Sequence, residues 1–275
     1  MMTSKIAVTV IVPVKNEEVN LPGCLDKLDG FEQLIVIDSG STDRTPEIAK
    51  EYGAEYVNFQ WNGQFPKKRN WALRNLKIRN EWVLFVDADE YLTPEFIEEL
   101  KVKIQDPTKN GYWVVFKNYF MGKQLNHGYE FKKLPLIRKG KGEYEKIDED
   151  SWSHLDMEVH EHPIVEGETG QFQEAILHND YKGLEHYIAR HNAYSTWEAR
   201  RFLHLEKEGF SKMTFHQKIK YNLMKTPFLP VIYFFGAYIL MRGFMDGRAG
   251  FYIALYKAHY FFQIKTKIEE FRKTK

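Results

Sequence analysis

An apolar run that ends abruptly in carboxylates constrains the fold of this chain most strongly. Residues 81–90 read Glu-Trp-Val-Leu-Phe-Val-Asp-Ala-Asp-Glu, which predicts a buried strand that stops at Asp87. Open α/β sheets bind their ligands at such strand ends. Asp87 and Asp89 alternate along an extended chain, so they point the same way and are placed to share a divalent cation that holds a diphosphate. The alternative is that these acidic residues form only a solvent-exposed connection between the strand and the next helix, because Thr93 and Pro94 are typical of a helix start.

Two earlier segments repeat the order strand, polar tip, helix. Ala7–Val14 is rich in β-branched residues, and Leu34–Ile37 runs into Asp38–Asp43, after which Thr45–Tyr52 has a helical pattern. Repeated βα units predict an α/β fold with a parallel sheet whose strand ends face one crevice. No Gly-x-Gly-x-x-Gly follows the first strand, so nicotinamide chemistry is disfavoured.

Four ordered motifs in the first hundred residues resemble the family 2 glycosyltransferases of the GT-A fold: Val12–Glu17, Val36–Asp43, Lys68–Asn70 and Phe85–Asp89. Val159–His162 and Arg242–Arg248 look like the bacterial branch of lipopolysaccharide core glucosyltransferases. The resemblance implies a Rossmann-like, mostly parallel sheet flanked by helices. It also implies inverting transfer of a hexose from a nucleoside diphosphate sugar, with a UDP-sugar expected, to a lipid-linked or lipopolysaccharide-type glycan, usually with Mg²⁺ or Mn²⁺.

The resemblance also assigns residues to the nucleoside. A nucleobase needs a flat apolar wall and an acceptor for its N–H group. By resemblance, Pro13 and Val14 line the base, Glu17 faces the ribose or base, and Asp38 accepts from the base edge. The alternative for Asp38 is that it only forms the turn after its strand.

A second set of residues is expected to bind the diphosphate and the metal. Lys68 and Arg69 bring positive charge from a helix expected to start near Gln64, although a basic helix face is usually just solvated. The metal role falls chiefly to Asp89, with Asp87 contacting ribose, sugar or metal. His178, at the end of the apolar run over residues 172–177, is an extra candidate ligand of this metal.

A general base is expected close to His160–His162. Inverting transfer needs a carboxylate or histidine that takes the proton of the acceptor hydroxyl. The resemblance favours Glu161, and Asp156 and Glu158 are the next candidates. A dedicated zinc site is disfavoured because no His-Glu-x-x-His occurs, although four histidines invite it: His154, His160, His162 and His178.

Composition indicates a folded chain on the cytosolic side. With 275 residues, 43% of them hydrophobic, the chain can bury a large core, and general disorder is excluded. Cys24 is the only cysteine and lies among leucines, so we expect a core residue and no intramolecular disulfide. The N-terminus runs almost directly into the first strand without a signal-peptide pattern, so secretion is not expected.

Charge divides the chain near residue 180. From Lys182 onward there are 17 Lys and Arg against 7 Asp and Glu, a net charge of +10, while the preceding residues carry −9. The pattern also changes there from α/β to helical, with helices expected over Tyr187–Leu205 and Thr214–Met224. We therefore predict a nucleotide-sugar-binding catalytic domain over residues 1–180 and a helical, basic, aromatic region over residues 181–275.

The helical region is expected to associate with a membrane surface. Thr226–Met241 carries no charge, but its 16 residues fall short of the ~20 needed to span a bilayer. Phe251–Ile264 mixes aromatic residues with Lys257, as in helices that lie in an interface. We predict peripheral binding to the anionic inner face of the cytoplasmic membrane. The alternatives are a packed helical subdomain and a dimer contact.

Three other functions are alternatives to glycosyl transfer. Nucleic-acid binding is disfavoured because the basic residues are interleaved with long apolar segments and the acidic strand ends repel phosphate. A sugar nucleotidyltransferase would use the same crevice and metal but attack the α-phosphate. A non-catalytic binding or scaffold protein would keep the sheet and lose the site.

Overall fold

The computed structural model describes residues 5–147, 149, 156, 161–179, 183–209 and 215–273. The chain forms two compact units, one of residues 1–118 and 131–181 and the other of residues 119–130 and 182–275. The second unit therefore takes a short segment from the middle of the chain as well as the C-terminal third.

The strands in chain order are β1 (Ile6–Val14), β2 (Phe31–Asp38), β3 (Glu55–Asn58), β4 (Trp82–Phe85), β5 (Glu90–Tyr91), β6 (Lys109–Phe120), β7 (Lys123–Gln124), β8 (Phe131–Arg138), β9 (Gly142–Tyr144), β10 (Pro163–Val165), β11 (Glu168–Gln171) and β12 (Ile176–His178). The helices of the first unit are α1 (Leu21–Leu25), α2 (Thr45–Glu51), α3 (Lys68–Asn75) and α4 (Pro94–Lys103). The residues that end β6, and all of β7, belong to the second unit.

The main sheet of the described residues has the order β3-β2-β1-β4-β8-β6-β12-β5, with β11 and β7 also paired to β6. Strands β1 to β4 run parallel, as do β6, β11 and β12, whereas β8 is antiparallel to both β4 and β6. The expected mostly parallel α/β sheet is confirmed. Because β8 runs the other way, its amino end lies at the edge where the parallel strands have their carboxyl ends.

Both faces of the central strands are buried, which explains their continuous apolar sequences. Val10 and Val12 belong to the cluster on one face, and Ile11 belongs to the cluster on the other. Helices α1 and α4 cover the first face with apolar residues: Leu21, Cys24, Leu25, Phe96 and Leu100. Cys24 is 1% exposed, as expected of a core residue.

Two helix starts follow directly from local sequence. Thr93 caps α4 by accepting a hydrogen bond from the backbone N–H of Phe96 at 3.1 Å, with Pro94 in the first turn. Helix α3 begins at Lys68, four residues later than the expected start near Gln64. Proline disfavours helical geometry at the residue before it, so Pro66 keeps Phe65 outside the helix.

The second unit is helical. It contains α5 (Gly183–Glu208), α6 (Phe215–Met224), α7 (Leu229–Phe235), a π-helix (Gly236–Leu240), a 3₁₀ helix (Gly243–Asp246) and α8 (Gly247–Lys273). Its core joins residues from α5, α6, α7 and α8: Ala199, Phe202, Leu205, Tyr221, Met224, Leu229, Ile264 and Ile268. Within the described ranges, no single helix is long and apolar enough to cross a membrane, whereas the pair Leu229–Leu240 and Gly243–Lys273, bent by 71°, passes by length and composition.

Candidate functional site

The loops that follow β1 and β2 are held together by hydrogen bonds. The backbone N–H of Asn16 donates to Ser41 Oγ at 2.7 Å, and Asn16 Oδ1 accepts from the backbone N–H of Thr42 at 2.8 Å. The N–H of Glu17 donates to Thr45 Oγ1 at 2.8 Å. Asn16 has a φ of 55°, a left-handed conformation that asparagine tolerates better than most residues. The two loops therefore form one rigid rim at the carboxyl end of the sheet.

The residues assigned to the nucleobase lie at this rim. Pro13 and Val14 are buried at the end of β1, and Glu17 is half-buried in the following loop. Asp38 has no exposed surface, and its carboxylate accepts from Ser41 Oγ at 2.6 Å and from the Tyr56 hydroxyl at 2.8 Å. These are the contacts of a turn-forming residue. Recognition of a base edge by Asp38 stays a prediction.

The start of α3 brings three consecutive cations into the site, each less than 8% exposed: Lys67, Lys68 and Arg69. Lys67 donates to Glu161 Oε1 at 2.7 Å. Lys68 donates to the carbonyl oxygen of Val14 at 3.0 Å, while Arg69 donates to Asp87 Oδ1 at 2.6 Å. Because a buried charge must be paired, these contacts fix the start of α3 against three separate parts of the site. Burial lowers the pKa of Lys68.

The carboxylates after β4 form a cluster with one further lysine. Lys133, near the amino end of β8, donates to Asp87 Oδ2 at 2.8 Å and to Glu90 Oε1 at 2.5 Å. Burial alone would raise the pKa of Asp87, but Lys133 and Arg69 hold it well below its usual range. Burial raises the pKa of Glu90 to about 7. Both oxygens of Asp87 are thus engaged by cations.

Asp89 faces a histidine instead. Strand β12 places His178 opposite Glu90 on β5 and beside Asn118 on β6. His178 Nδ1 lies 2.7 Å from Asn118 Oδ1, which can only accept, so Nδ1 carries a proton and Nε2 points at Asp89 Oδ2, 3.3 Å away. Burial lowers the pKa of His178, but the Asp89 carboxylate outweighs it and the net shift is upward.

The Asp89 and His178 pair fits one side of a metal site. Metal–ligand bonds of about 2.0–2.2 Å place two neighbouring ligands about 3 Å apart, close to the observed separation. The Asn118 contact orients the imidazole as outer-shell partners of metal-binding histidines do. Among the residues that the structure describes, no group of three or more His, Cys, Asp or Glu is arranged to hold a metal ion.

A second buried carboxylate cluster surrounds Lys67. Its ammonium contacts both Glu149 and Glu161, whose side chains are each 3% exposed. Burial, with a smaller contribution from the hydrogen bond to Glu149, raises the pKa of Glu161 to about 7 although Lys67 opposes the shift. A carboxylate that titrates near neutrality is suited to proton transfer. Asp156 is half-buried, and its carbonyl oxygen accepts from the N–H of Lys68 at 3.0 Å.

The remaining sequence candidates are placed less closely or lie outside the description. Glu158, His154 and His160 fall outside the described residues. His162 is exposed, and its backbone N–H donates to Glu145 Oε1 at 3.1 Å.

Comparison with known proteins settles the family. The model of "Glycosyl transferase family 2" matches residues 9–157, more than half of the chain and all of the strand-end motifs. The chain belongs to glycosyl transferase family 2. It is accordingly a glycosyltransferase. The carboxyl ends of β1, β2 and β4 lie within the matched range, whereas Glu161 and His178 follow it in the chain.

Relatives resemble this family 2 enzyme over nearly its whole length. The lipopolysaccharide core biosynthesis glycosyltransferase LpsC of Rhizobium meliloti (strain 1021) is 26% identical over 279 residues, covering 97% of this chain and 93% of that protein. An uncharacterized glycosyltransferase of Rickettsia conorii is 25% identical, with 98% and 91% covered. The mannosyltransferase PcManGT of Pyrobaculum calidifontis, solved with GDP-Man and Mn²⁺, has a TM-score of 0.52 at 16% identity, with 97% and 88% covered. The fold is GT-A.

Three residues of this family 2 site were missed from the sequence. Lys67 directly precedes the Lys68–Asn70 motif, and the adjacency of three cations was an available signal. Lys133 precedes an apolar run, but only the antiparallel direction of β8 brings it to the acidic edge. Glu149 lies far from Lys67 in sequence and carries no local signal.

Proposed function

We propose that the protein transfers a sugar from a UDP-sugar to a lipid-linked or lipopolysaccharide-type glycan, with inversion and with a divalent metal. The observation that carries this proposal is the strand edge itself, where Asp89 Oδ2 and His178 Nε2 face each other at 3.3 Å. Nearby, Arg69 and Lys133 both donate hydrogen bonds to the carboxylate of Asp87. A site with a cation position flanked by fixed positive charges suits a diphosphate leaving group.

Mg²⁺ or Mn²⁺ would be held by Asp89 and His178, and the metal would offset the negative charge that develops on the diphosphate. Asp87 has a different role in this proposal. Its carboxylate orients Arg69 and Lys133 through bonds of 2.6 and 2.8 Å, so that positive charge is fixed before the donor arrives. Preorganised charge of this kind stabilises a transition state without reorganisation.

The rim formed by the first two loops would bind the nucleoside. Pro13 and Val14 would wall the base, with Glu17 at the ribose or base and Asp38 at the base edge. Lys68 supports this wall, because its ammonium holds the carbonyl oxygen of Val14. A direct contact of Lys68 with the diphosphate would require that this bond be exchanged.

Glu161 would act as the general base. In this step the acceptor hydroxyl oxygen bonds to the anomeric carbon as the bond to the diphosphate oxygen breaks on the opposite face. The hydroxyl proton passes to the Glu161 carboxylate. Lys67 fixes the carboxylate at 2.7 Å, and the raised pKa of Glu161 makes the carboxylate a stronger base than a solvated glutamate.

The acceptor and the cellular site are inferred from the relative and from the C-terminal third. LpsC is named for lipopolysaccharide core biosynthesis and is similar over 97% of this chain, which supports an acceptor of that type. In this proposal residues 1–180 bind the donor, and residues 181–275 place the enzyme on the anionic inner face of the cytoplasmic membrane. The net charge of +10 in that region favours such a surface.

Incubation with UDP-sugars, Mn²⁺ and a lipid-linked acceptor tests the reaction. Release of UDP with an inverted anomeric product supports the proposal. Release of the sugar 1-phosphate, the leaving group when the α-phosphate is attacked, identifies a nucleotidyltransferase, and release of neither product identifies a non-catalytic protein. A thermal-shift screen of nucleoside diphosphate sugars comes first, since ligand at ~100 times its dissociation constant stabilises the folded state by about 2.7 kcal/mol.

A further inference from the structure

Exposed large apolar side chains are concentrated in one stretch of the second unit. In the first unit such residues are scattered, as with Val19, Val102 and Ile164. Between residues 228 and 262, thirteen are more than a third exposed: Phe228, Val231, Ile232, Phe235, Ile239, Leu240, Met241, Phe244, Met245, Phe251, Tyr252, Leu255 and Phe262. Such a concentration of exposed apolar side chains in one segment is a candidate interaction surface.

The most exposed of these residues, Leu240 at 78%, begins the bend between the π-helix and α8. We call residues 240–245 the apolar tip. Its other large apolar residues, Met241, Phe244 and Met245, are 46–56% exposed. The two helical segments that meet here are bent by 71°, so the tip lies at the bend between them.

The tip is held outward by a polar network beneath it. Asp246 is 2% exposed, and its Oδ2 accepts from the backbone N–H groups of Asn126 at 3.1 Å and His127 at 2.8 Å. Lys123 donates to the carbonyl oxygen of Asp246 at 2.7 Å. The N–H of Gly128 donates to the carbonyl oxygen of Met241 at 2.9 Å. These bonds fix the backbone of the tip, so its apolar side chains cannot simply turn inward.

The charge around the tip selects its occupant. Residues 225–268 contain six Lys and Arg but only one acidic residue, the buried Asp246. Arg242 within the tip and Arg248 just after it are both exposed. In a two-fold dimer this surface would meet its own copy, which would bring cations against cations without an acid to pair them. An anionic lipid surface supplies both the apolar interior and the opposite charge.

We propose that the apolar tip inserts into one leaflet of an anionic membrane, with Arg242 and Arg248 at the level of the headgroups. This inference deepens the proposed membrane location and does not depend on the donor or the acceptor. The side chains of Leu240, Phe244 and Met245 would enter the acyl boundary first. The exposed residues of α7 and α8 would then lie along the interface.

Flotation of the full chain with vesicles tests the insertion. Vesicles of phosphatidylethanolamine and phosphatidylglycerol at 3:1 should carry the wild type upward, and phosphatidylcholine vesicles should carry much less. The double variant Leu240→Glu/Phe244→Glu should lower partitioning at least tenfold. Val102→Glu is the matched control, because Val102 is 72% exposed on α4 of the first unit, and it should float like the wild type.

Cysteine labelling reports where the chain enters. Cys24 is the only cysteine and is buried, so an introduced cysteine is the accessible site for an environment-sensitive dye. The dye on Leu240→Cys should brighten on anionic vesicles and be quenched by nitroxides in the acyl chains. The dye on Val102→Cys should do neither. Equal behaviour of the two labels overturns the proposal.

Three further outcomes overturn it. The first is a wild type that does not bind anionic vesicles, and the second is a double variant that floats as well as the wild type. The third is a wild-type dimer in sedimentation without vesicles that the double variant converts to monomer, since the surface would then be a self-contact. UDP binding measured by calorimetry separates this proposal from the proposed reaction. A protein that floats without binding UDP retains the proposed tip insertion and loses the proposed UDP-sugar donor.

Discussion

At the scale of single residues, two aspartates of one motif have different partners. Asp87 is engaged by Arg69 and Lys133, whereas Asp89 faces His178. The sequence predicted both as metal candidates because their alternation puts them on the same side of the chain. It could not separate them, since their partners come from α3, β8 and β12. The structure makes Asp89 the better candidate ligand and Asp87 the anchor of two cations.

Asp89→Asn should lose metal-dependent UDP binding while the fold is retained, because the change removes a ligand and a charge that offsets the cation. We expect the affinity for UDP with Mn²⁺ to fall by more than the 10–100-fold typical of outer-shell partners. Calorimetric titration with and without Mn²⁺ measures it. Asp106→Asn, on a turn outside the site, is the control. Unchanged affinity in the Asp89 variant would remove this residue from the metal site.

Glu161→Gln should keep UDP binding and lower turnover by about 10²–10⁴, because an amide cannot take the proton. The pH dependence follows from the raised pKa of Glu161, about 7. The base must be ionised, so wild-type turnover should fall as pH drops below about 7. Glu166→Gln, an exposed control, should behave as wild type. A Glu161 variant that turns over normally with the true acceptor would place the base elsewhere, with Asp156 or Glu158 next.

Lys133→Met should destabilise the protein by about 1–3 kcal/mol. This loss is no larger than the smallest typical cost of breaking a buried ion pair, because the lysine side chain is 29% exposed. The loss arises because the carboxylate of Glu90, 1% exposed, loses its cation. Urea unfolding measures the change. Adding Glu90→Gln to this variant should recover part of the stability, because the uncompensated charge is removed. A double variant no more stable than Lys133→Met would contradict this account.

At the scale of elements, local signals predicted the first strands and helices well. The βα repeats gave β1, β2, α2 and β4 within a few residues, because apolar periodicity and turn chemistry are local. The start of α3 was misplaced by four residues, since the effect of Pro66 was not weighed. The direction of β8 could not be predicted from the sequence. Strand β8 pairs with β4, about fifty residues earlier, and neither segment contains a local pattern that indicates this pairing.

Gly250→Ala should disrupt the turn that carries the apolar tip. A Cβ at this position would overlap the carbonyl oxygen of Gly243, where the start of α8 packs against the 3₁₀ helix. Overpacking of this kind typically costs about 1–3 kcal/mol. Thermal unfolding measures the loss. Gly30→Ala is the control, since a Cβ there meets nothing within 4 Å. Equal melting temperatures for the two variants would mean that the turn yields without cost.

At the scale of the whole molecule, composition predicted two regions but not their membership. The change in charge and pattern near residue 180 reflects the start of the helical unit. Residues 119–130 also belong to that unit, and nothing local marks them because β6 continues through Phe120 without a break. Helix α8 shares a core with α5 through Ile264 and Ile268. Point substitutions are therefore cleaner tests of membrane binding than a truncation that removes α8.

Hydrogen exchange should show two separate footprints on the full chain. UDP with Mn²⁺ should slow exchange in the loops after β1, β2 and β4, because ligand binding stabilises the region that it contacts. Anionic vesicles should slow exchange over residues 228–255. Phosphatidylcholine vesicles and UDP without metal are the controls. Protection by UDP confined to the second unit would contradict the donor site, and protection by vesicles confined to the first unit would contradict the tip.

Because β8 runs antiparallel to its neighbours, the charge at the strand edge can be changed by two routes, through the loops after the parallel strands or through the start of β8. The acidic residues of the site sit on loops that continue from parallel strands, and altering those loops alters helix starts and rim contacts together. Position 133 sits at the start of a strand, over the rings of Phe116 and Phe131. A substitution there changes the charge beside Asp87 and Glu90 by one unit and leaves the hydrogen bonds of the rim formed by the first two loops in place. The charge at the strand edge can therefore be changed at position 133 while the rim formed by the first two loops stays the same.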